Sequence, residues 1–249
     1  MNRSTESDHH QRSIPLQKRY GQHHLVRGSI CDPLVDFLAP TGELVVEIDI
    51  AWAATLSRRS SSGALRLLIM DAATIDWRQL PVGTLVTGNL PFNVSTVLIE
   101  QILPRWQQIP RAAFLVQREV GDRLLAAPGD GAYGALSVLT AARARVSKLG
   151  RVSRGSFRPP PKVDGVFIGL ELVAPILEES QMRGFTATVR QAFAQRRKQL
   201  RNALASGWGR EVAAAVLAAA GIDPRVRAEE LSLEEFLEMH EAYRQVVSG

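Results

Sequence analysis

Along the first two thirds of the chain the apolar positions switch between helical and strand periods. Ser29 can cap a helix running towards Leu38, and Leu44-Val45-Val46-Glu47-Ile48 reads as a strand. Ala51 to Arg58 has helical spacing, and Arg66 to Met70 reads as a strand ending at Asp71. The apolar run Thr84-Leu85-Val86-Thr87 then leads into GNLPFNVST at 88–96. Proline cannot donate to a sheet ladder, so Pro91 ends this strand, and Val94 to Leu103 resumes helical spacing. Further on, Ala112–Val116 reads as a strand, Pro128–Gly134 as a Gly/Pro-rich break, and a helix follows through Leu139. Arg145–Leu149 and Val166–Leu172 read as two strands joined by GSFRPPPKVDG. This alternation predicts an α/β fold, a mostly parallel sheet with helices on its faces that closes in an antiparallel pair.

Beyond Pro175 the pattern is helical only. Met182 to Gly249 reads as several short helices, broken at Gly207-Trp208-Gly209 and at Gly221-Ile222-Asp223-Pro224. The domain boundary is therefore expected within 174–181. The resulting division is a polar, non-periodic tail over 1–15 expected to be disordered, an α/β domain over 16–178, and a small all-helical domain over 179–249.

A chain of 249 residues, 45% of them hydrophobic, suits one large domain with a smaller appendage. No apolar run approaches the ~20 residues of a membrane span, and the polar N-terminus MNRSTESDHHQRS has no apolar signal core, so the expectation is a cytoplasmic protein with no membrane partner. Cys31 is the single cysteine, and the pairs His9-His10 and His23-His24 have no third ligand in register, so no metal is expected. A net charge of +5 and a pI near 9.9 point to a polyanionic partner.

The junction at 88–96 carries the chemistry. In open α/β sheets ligands bind at the carboxyl ends of the strands. An exocyclic amine on a nucleobase is a poor nucleophile, because its lone pair is delocalised into the ring. A site that accepts both amine protons in hydrogen bonds localises the lone pair and aligns it with an alkyl donor. Asn89 offers a side-chain carbonyl, the Leu90-Pro91 backbone a second acceptor, and Phe92 a face on which a flipped-out base can stack. The alternative is that Asn89 and Pro91 only shape a turn.

GNLPFNVST resembles the catalytic loop of adenine-N6 methyltransferases, and in particular of the ribosomal RNA adenine N6-dimethyltransferases (KsgA-like). The segments KRYGQHHL, DPLVDFLAPTGELVVEI, Met70-Asp71-Ala72, FLVQREVGDRLLAAPGDGAYGALSVL, GSFRPPPKVDGVFIGL, AFAQRRKQLRNAL and GIDPRVRAEELSLEEF each have a counterpart there, in the same order. The resemblance covers nearly the whole chain, and its last two segments favour the small-subunit enzymes. It implies a Rossmann-like methyltransferase sheet and transfer of methyl groups from S-adenosyl-L-methionine to N6 of two adjacent adenosines near the 3′ end of small-subunit rRNA. Asn89, Pro91 and Phe92 would hold the amine; His23, Leu25, Glu47 and Asp71, with Asn89, would line the cofactor side. It also implies a monomer partnered by small-subunit rRNA or the 30S particle.

For the RNA side, Gln195 to Asn202 would place Arg197 and Arg201 four apart on one helical face, with Arg190 and Lys198 nearby. That face is either an rRNA grip or a solvated basic surface. Phe157 resembles a family aromatic near the target base, and equally suits a core anchor.

One departure stands out. In the family the first strand runs into a glycine-rich loop of the type GPGxGxLT, and a second strand about twenty residues later ends in an acidic residue for the ribose. Here PTGELVVEI passes directly into EIDIAWAATL, and no glycine lies between Gly42 and Gly63. The first βαβ unit is shortened, and Glu47 aligns with either parent strand. A non-catalytic rRNA-binding assembly factor that has lost the donor site, or a shortened record of an ordinary enzyme, would carry the same residues.

Overall fold

The computed structural model describes residues 24–25, 28–38, 43–47, 65–69, 74–91 and 94–248. Its contacts divide the chain into two compact units, one drawn from residues 41–75 and the N-terminal stretch, the other from 23–40 and 76–249. The expected tail over 1–15 and helix over 51–58 lie outside the described residues.

In the first unit, β2 (Glu43–Glu47) pairs in parallel with β3 (Leu65–Ile69), from Glu43 opposite Leu65 to Glu47 opposite Ile69. Both strands are one residue earlier than the apolar runs suggest.

The second unit contains a short strand β1 (His24–Leu25), helix α1 (Asp32–Leu38), strand β4 (Val86–Asn89), helix α2 (Ser95–Ile102), strand β5 (Arg111–Gln117), helices α3 (Arg118–Leu125) and α4 (Ala135–Ala141), and strands β6 (Ala144–Val152), β7 (Phe157–Arg158) and β8 (Gly165–Leu172). Its main sheet has the order β4-β5-β8-β6. β4 runs parallel to β5, whereas β8 is antiparallel to both β5 and β6. The predicted antiparallel closure is thus present, and β6 is longer than expected because a bulge between Lys148 and Gly150 lets it follow β8 to its start.

Two glycines set how closely helices approach this sheet. A Cβ added at Gly121 of α3 would lie 2.2 Å from Val166 Cγ1, and one at Gly169 of β8 would lie 2.8 Å from the Phe37 ring of α1. Val166 and Gly169 are an odd number of residues apart on β8, so their side chains point to opposite faces. Helix α3 therefore covers one face and α1 the other. Helix α3 was not anticipated: REVGDRLL has a central glycine and few apolar residues, but Val120, Gly121 and Leu124 fall on one buried stripe.

Helices α5 (Glu179–Ala192), α6 (Leu200–Trp208), α7 (Arg210–Ala219) and α8 (Leu233–Ser248) follow, and no strand occurs among the described residues beyond Leu172. Helix α6 stops at Gly209, whose φ of 83° lies in the left-handed region that glycine adopts most cheaply. Met182, Phe185, Val189, Leu204, Val216 and Phe236 from these helices share one apolar core with Val138 and Leu139 of α4.

The Gly121 contact yields a test. Gly121→Ala forces its new methyl into Val166, and overpacking of this kind costs about 1–3 kcal/mol. The urea midpoint should fall accordingly with an unchanged slope, and Val166→Ala in the same chain should recover part of the loss.

Candidate active site

Asn89 is the last residue of β4 and lies opposite Leu115 of the buried strand β5. The ladder extends one residue further, since the Leu90 amide donates to the Leu115 carbonyl at 3.1 Å and the Leu90 side chain is buried. Proline follows where the ladder no longer needs a donor. The Pro91 carbonyl then accepts from the Val94 amide at 3.0 Å and the Ser95 amide at 3.1 Å, which starts α2. The strand–loop–helix junction read from the sequence is therefore present, with Phe92 outside the described residues.

This arrangement distinguishes the two carbonyls of the Leu90-Pro91 backbone, which the sequence offers as one acceptor. A carbonyl has two lone pairs, and both of those on Pro91 are directed to helix amides. Leu90 contributes the carbonyl that lies between a fixed ladder amide and a fixed ring. Asn89 is exposed at this strand end, while Ser95, the first residue of α2, is fully buried. The exposed amide thus stands on a rigidly anchored backbone.

The cofactor-side residues are distributed as follows. Glu47 closes β2 opposite Ile69, at the carboxyl end of a parallel pair. Leu25, in β1, lies opposite Phe157 and packs half-buried against the core formed by Leu34, Leu115 and Phe167. His23 and Asp71 lie outside the described residues.

Phe157 is 1% exposed, with its ring in that same core. Of the two roles left open for it, that burial suits the core anchor.

The basic run also differs from its helical reading. After α5 the chain makes a short 3-10 turn over Phe193–Gln195, and Arg196, Arg197 and Lys198 form a further turn before α6 begins at Leu200. Arg197 and Arg201 therefore do not share a helical face, since the turn before Gln199 interrupts the period. Arg196 is structural: its Nη2 donates to the Tyr133 carbonyl at 2.7 Å and the Gly131 carbonyl at 3.1 Å. Within an unbroken basic run its sequence signal is the same as its neighbours'. Arg190 donates to Glu100 of α2 at 3.0 Å. The Asp223 carboxyl is held below its ordinary value chiefly by hydrogen bonds from Arg225, with a smaller contribution from the charge of Arg201. Arg197 and Lys198 are exposed and make no ion pair with a described residue.

Comparison with known proteins gives a consistent picture. Residues 44–245 match the family described as ribosomal RNA adenine dimethylase. The chain is 35% identical to ribosomal RNA small subunit methyltransferase A of Bordetella petrii, over 92% of this chain and 95% of that one. It is 39% identical to the protein of the same name from Nitrosococcus oceani, over 85% and 80%. The Bordetella alignment is 254 residues long, more than the whole of this 249-residue chain, so that relative holds a stretch with no counterpart here. Among solved structures, a dimethyladenosine transferase from Plasmodium falciparum has the same fold, with a TM-score of 0.76 at 20% identity over 90% of this chain and 98% of that one. The 23S rRNA methyltransferase ErmE follows at 0.61 and 22%, over 81% and 82%.

Proposed function

We propose, for a chain that belongs to the ribosomal RNA adenine dimethylase family, that it transfers methyl groups from S-adenosylmethionine to N6 of two adjacent adenosines near the 3′ end of small-subunit rRNA. The observation that carries this reading is the anchored Asn89-Leu90-Pro91 backbone. Asn89 Oδ1 and the Leu90 carbonyl accept the two amine hydrogens, which keeps the nitrogen lone pair out of the ring and directs it away from both acceptors. Pro91 shapes the loop and hands its carbonyl to α2. Phe92 offers its ring to the extruded base.

S-adenosylmethionine, when bound, supplies an electrophilic methyl group. Glu47 stands where open α/β sheets bind ligands, and the resemblance assigns it or Asp71 to the ribose. The glycine turn has no substitute in Glu47-Ile48-Asp49-Ile50-Ala51-Trp52, because glycine lets backbone amides approach a ligand and bulky side chains do not. The residues present thus fit the acceptor better than the donor. That imbalance favours a second reading, an rRNA-binding assembly factor that keeps its grip on the small subunit and has lost methyl transfer. Under either reading the protein acts in the cytoplasm, as a monomer on the small-subunit particle, with Arg197, Lys198 and Arg201 among its phosphate contacts.

Three measurements test this. With labelled donor at millimolar concentration, Asn89→Ala should abolish methylation of small-subunit particles while RNA affinity stays within a few-fold; parallel loss of both would make Asn89 structural. In calorimetry, absence of the glycine turn should cost about 3–4 kcal/mol of donor affinity, so no binding is expected at micromolar S-adenosylmethionine. Micromolar affinity would mean that another segment, such as Lys18–His24, closes over the donor; particle binding without transfer at any donor concentration would leave the assembly factor. Finally, replacing Arg197 and Arg201 together by Gln should reduce the log–log salt slope of RNA binding by roughly one to two units. An unchanged slope would make them solvated surface charges.

A further inference from the structure

From Ala144 to Lys162 the sequence ARVSKLGRVSRGSFRPPPK carries six cations and no acidic residue, more positive charge than the whole chain's net +5. Arg145, Lys148, Arg151, Arg154, Arg158 and Lys162 are all exposed. Arg145 reaches Glu171 at 4.0 Å, and the other five make no ion pair with a described residue. Asp164, the next acid in the chain, accepts from the Arg154 backbone amide at 2.9 Å, so it is held to the loop's main chain.

The sheet register relates this stretch to Asn89. Asn89 lies opposite Leu115, Leu115 opposite Phe167, and Phe167 opposite Gly150. One row thus crosses the sheet from the candidate catalytic residue to the middle of the basic segment. Three interstrand steps of ~4.8 Å put the two backbones about 14 Å apart. β6 runs in the same direction as β4, because each is related to β8 through antiparallel pairing, directly or by way of β5. Its carboxyl end, followed by Arg154 and Arg158, therefore lies at the same end of the sheet as Asn89. On β6 itself, Lys148 and Arg151 pair with Ile168 and Val166, two residues apart on β8, so both project about 7 Å from each other from the face that α3 covers, opposite to the face of Phe167.

We propose that this row is a second phosphate-binding surface, on which the RNA strand that delivers the target adenosines is held beside the site, separately from the grip of the helical region. The inference rests on the rRNA reading above. A row of unpaired cations at the end strand of a sheet also has a simpler use, since edge charges keep sheets from pairing with one another. Position favours RNA here, because Arg154, Arg158 and Lys162 continue the row past the edge strand, at the end of the sheet that carries Asn89.

The test uses the whole chain and small-subunit particles, with affinity measured across salt concentrations. Lys148→Gln, Arg151→Gln and Arg154→Gln combined should reduce the log–log slope by about two to three units, each contact contributing ~0.7–0.9. The loss should add to that of the Arg197/Arg201 variant, the two groups lying on different elements. An unchanged slope, with the Arg197/Arg201 variant still reduced, would overturn this surface and leave the rRNA reading standing. Failure of the unaltered protein to bind the particles would overturn both. A variant that keeps its slope but self-associates in sedimentation would identify the row as an edge guard instead. If the strand variant does not fold, Arg154→Gln with Arg158→Gln, which leaves β6 intact, should still reduce the slope by one to two units, and an unchanged value overturns the proposal.

Discussion

Strand β5 has to satisfy its backbone on both sides. Ala112 to Val116 are all buried, so an unpartnered amide or carbonyl there would cost about 1–3 kcal/mol. β4 supplies the partners on one side and β8 on the other, and the registers that result locate everything else in this unit. The Leu90 amide on the Leu115 carbonyl is the last rung of that ladder, and from it hang Asn89, the proline and the start of α2. The candidate site is placed by main-chain hydrogen bonding, and its side chains need only the right identities.

Because the constraint lies in the backbone, much of the fold was legible in the residues. The strand before GNLPFNVST, the helix after it and the helical character beyond Leu172 all follow from period and from proline placement. Helix α3 was not legible, since its burial depends on a glycine touching Val166, a contact separated by many residues from any local signal. The turn at Arg196–Lys198 escaped for a similar reason. A run of cations and glutamines has high helix propensity, but here the Leu200 and Arg201 amides donate to the Val226 and Pro224 carbonyls, and Arg196 donates to the Gly131 and Tyr133 carbonyls, all partners remote in sequence.

The site shows the same division. Asn89 and the role of Pro91 as a strand stop could be argued from the chain alone, whereas the division of labour between the Leu90 and Pro91 carbonyls required the positions of the Val94 and Ser95 amides. Phe157 illustrates the limit most directly. An aromatic in a proline-rich loop reads equally well as a stacking face or a core residue, and only its burial beside Leu115 and Phe167 speaks for the core.

The core shared by α4 and the helices from α5 onward has a mechanical consequence. A hinge between them would have to expose Val138 and Leu139 together with Met182, Phe185 and Val189, and each large apolar side chain brought into water costs about 1.5–3 kcal/mol. Bending at that point is therefore costly. Under the proposed RNA reading, the span from the exposed turn at Arg197 to Asn89 would then act as a ruler, selecting a nucleotide by its distance along a folded substrate with no need to read the bases in between.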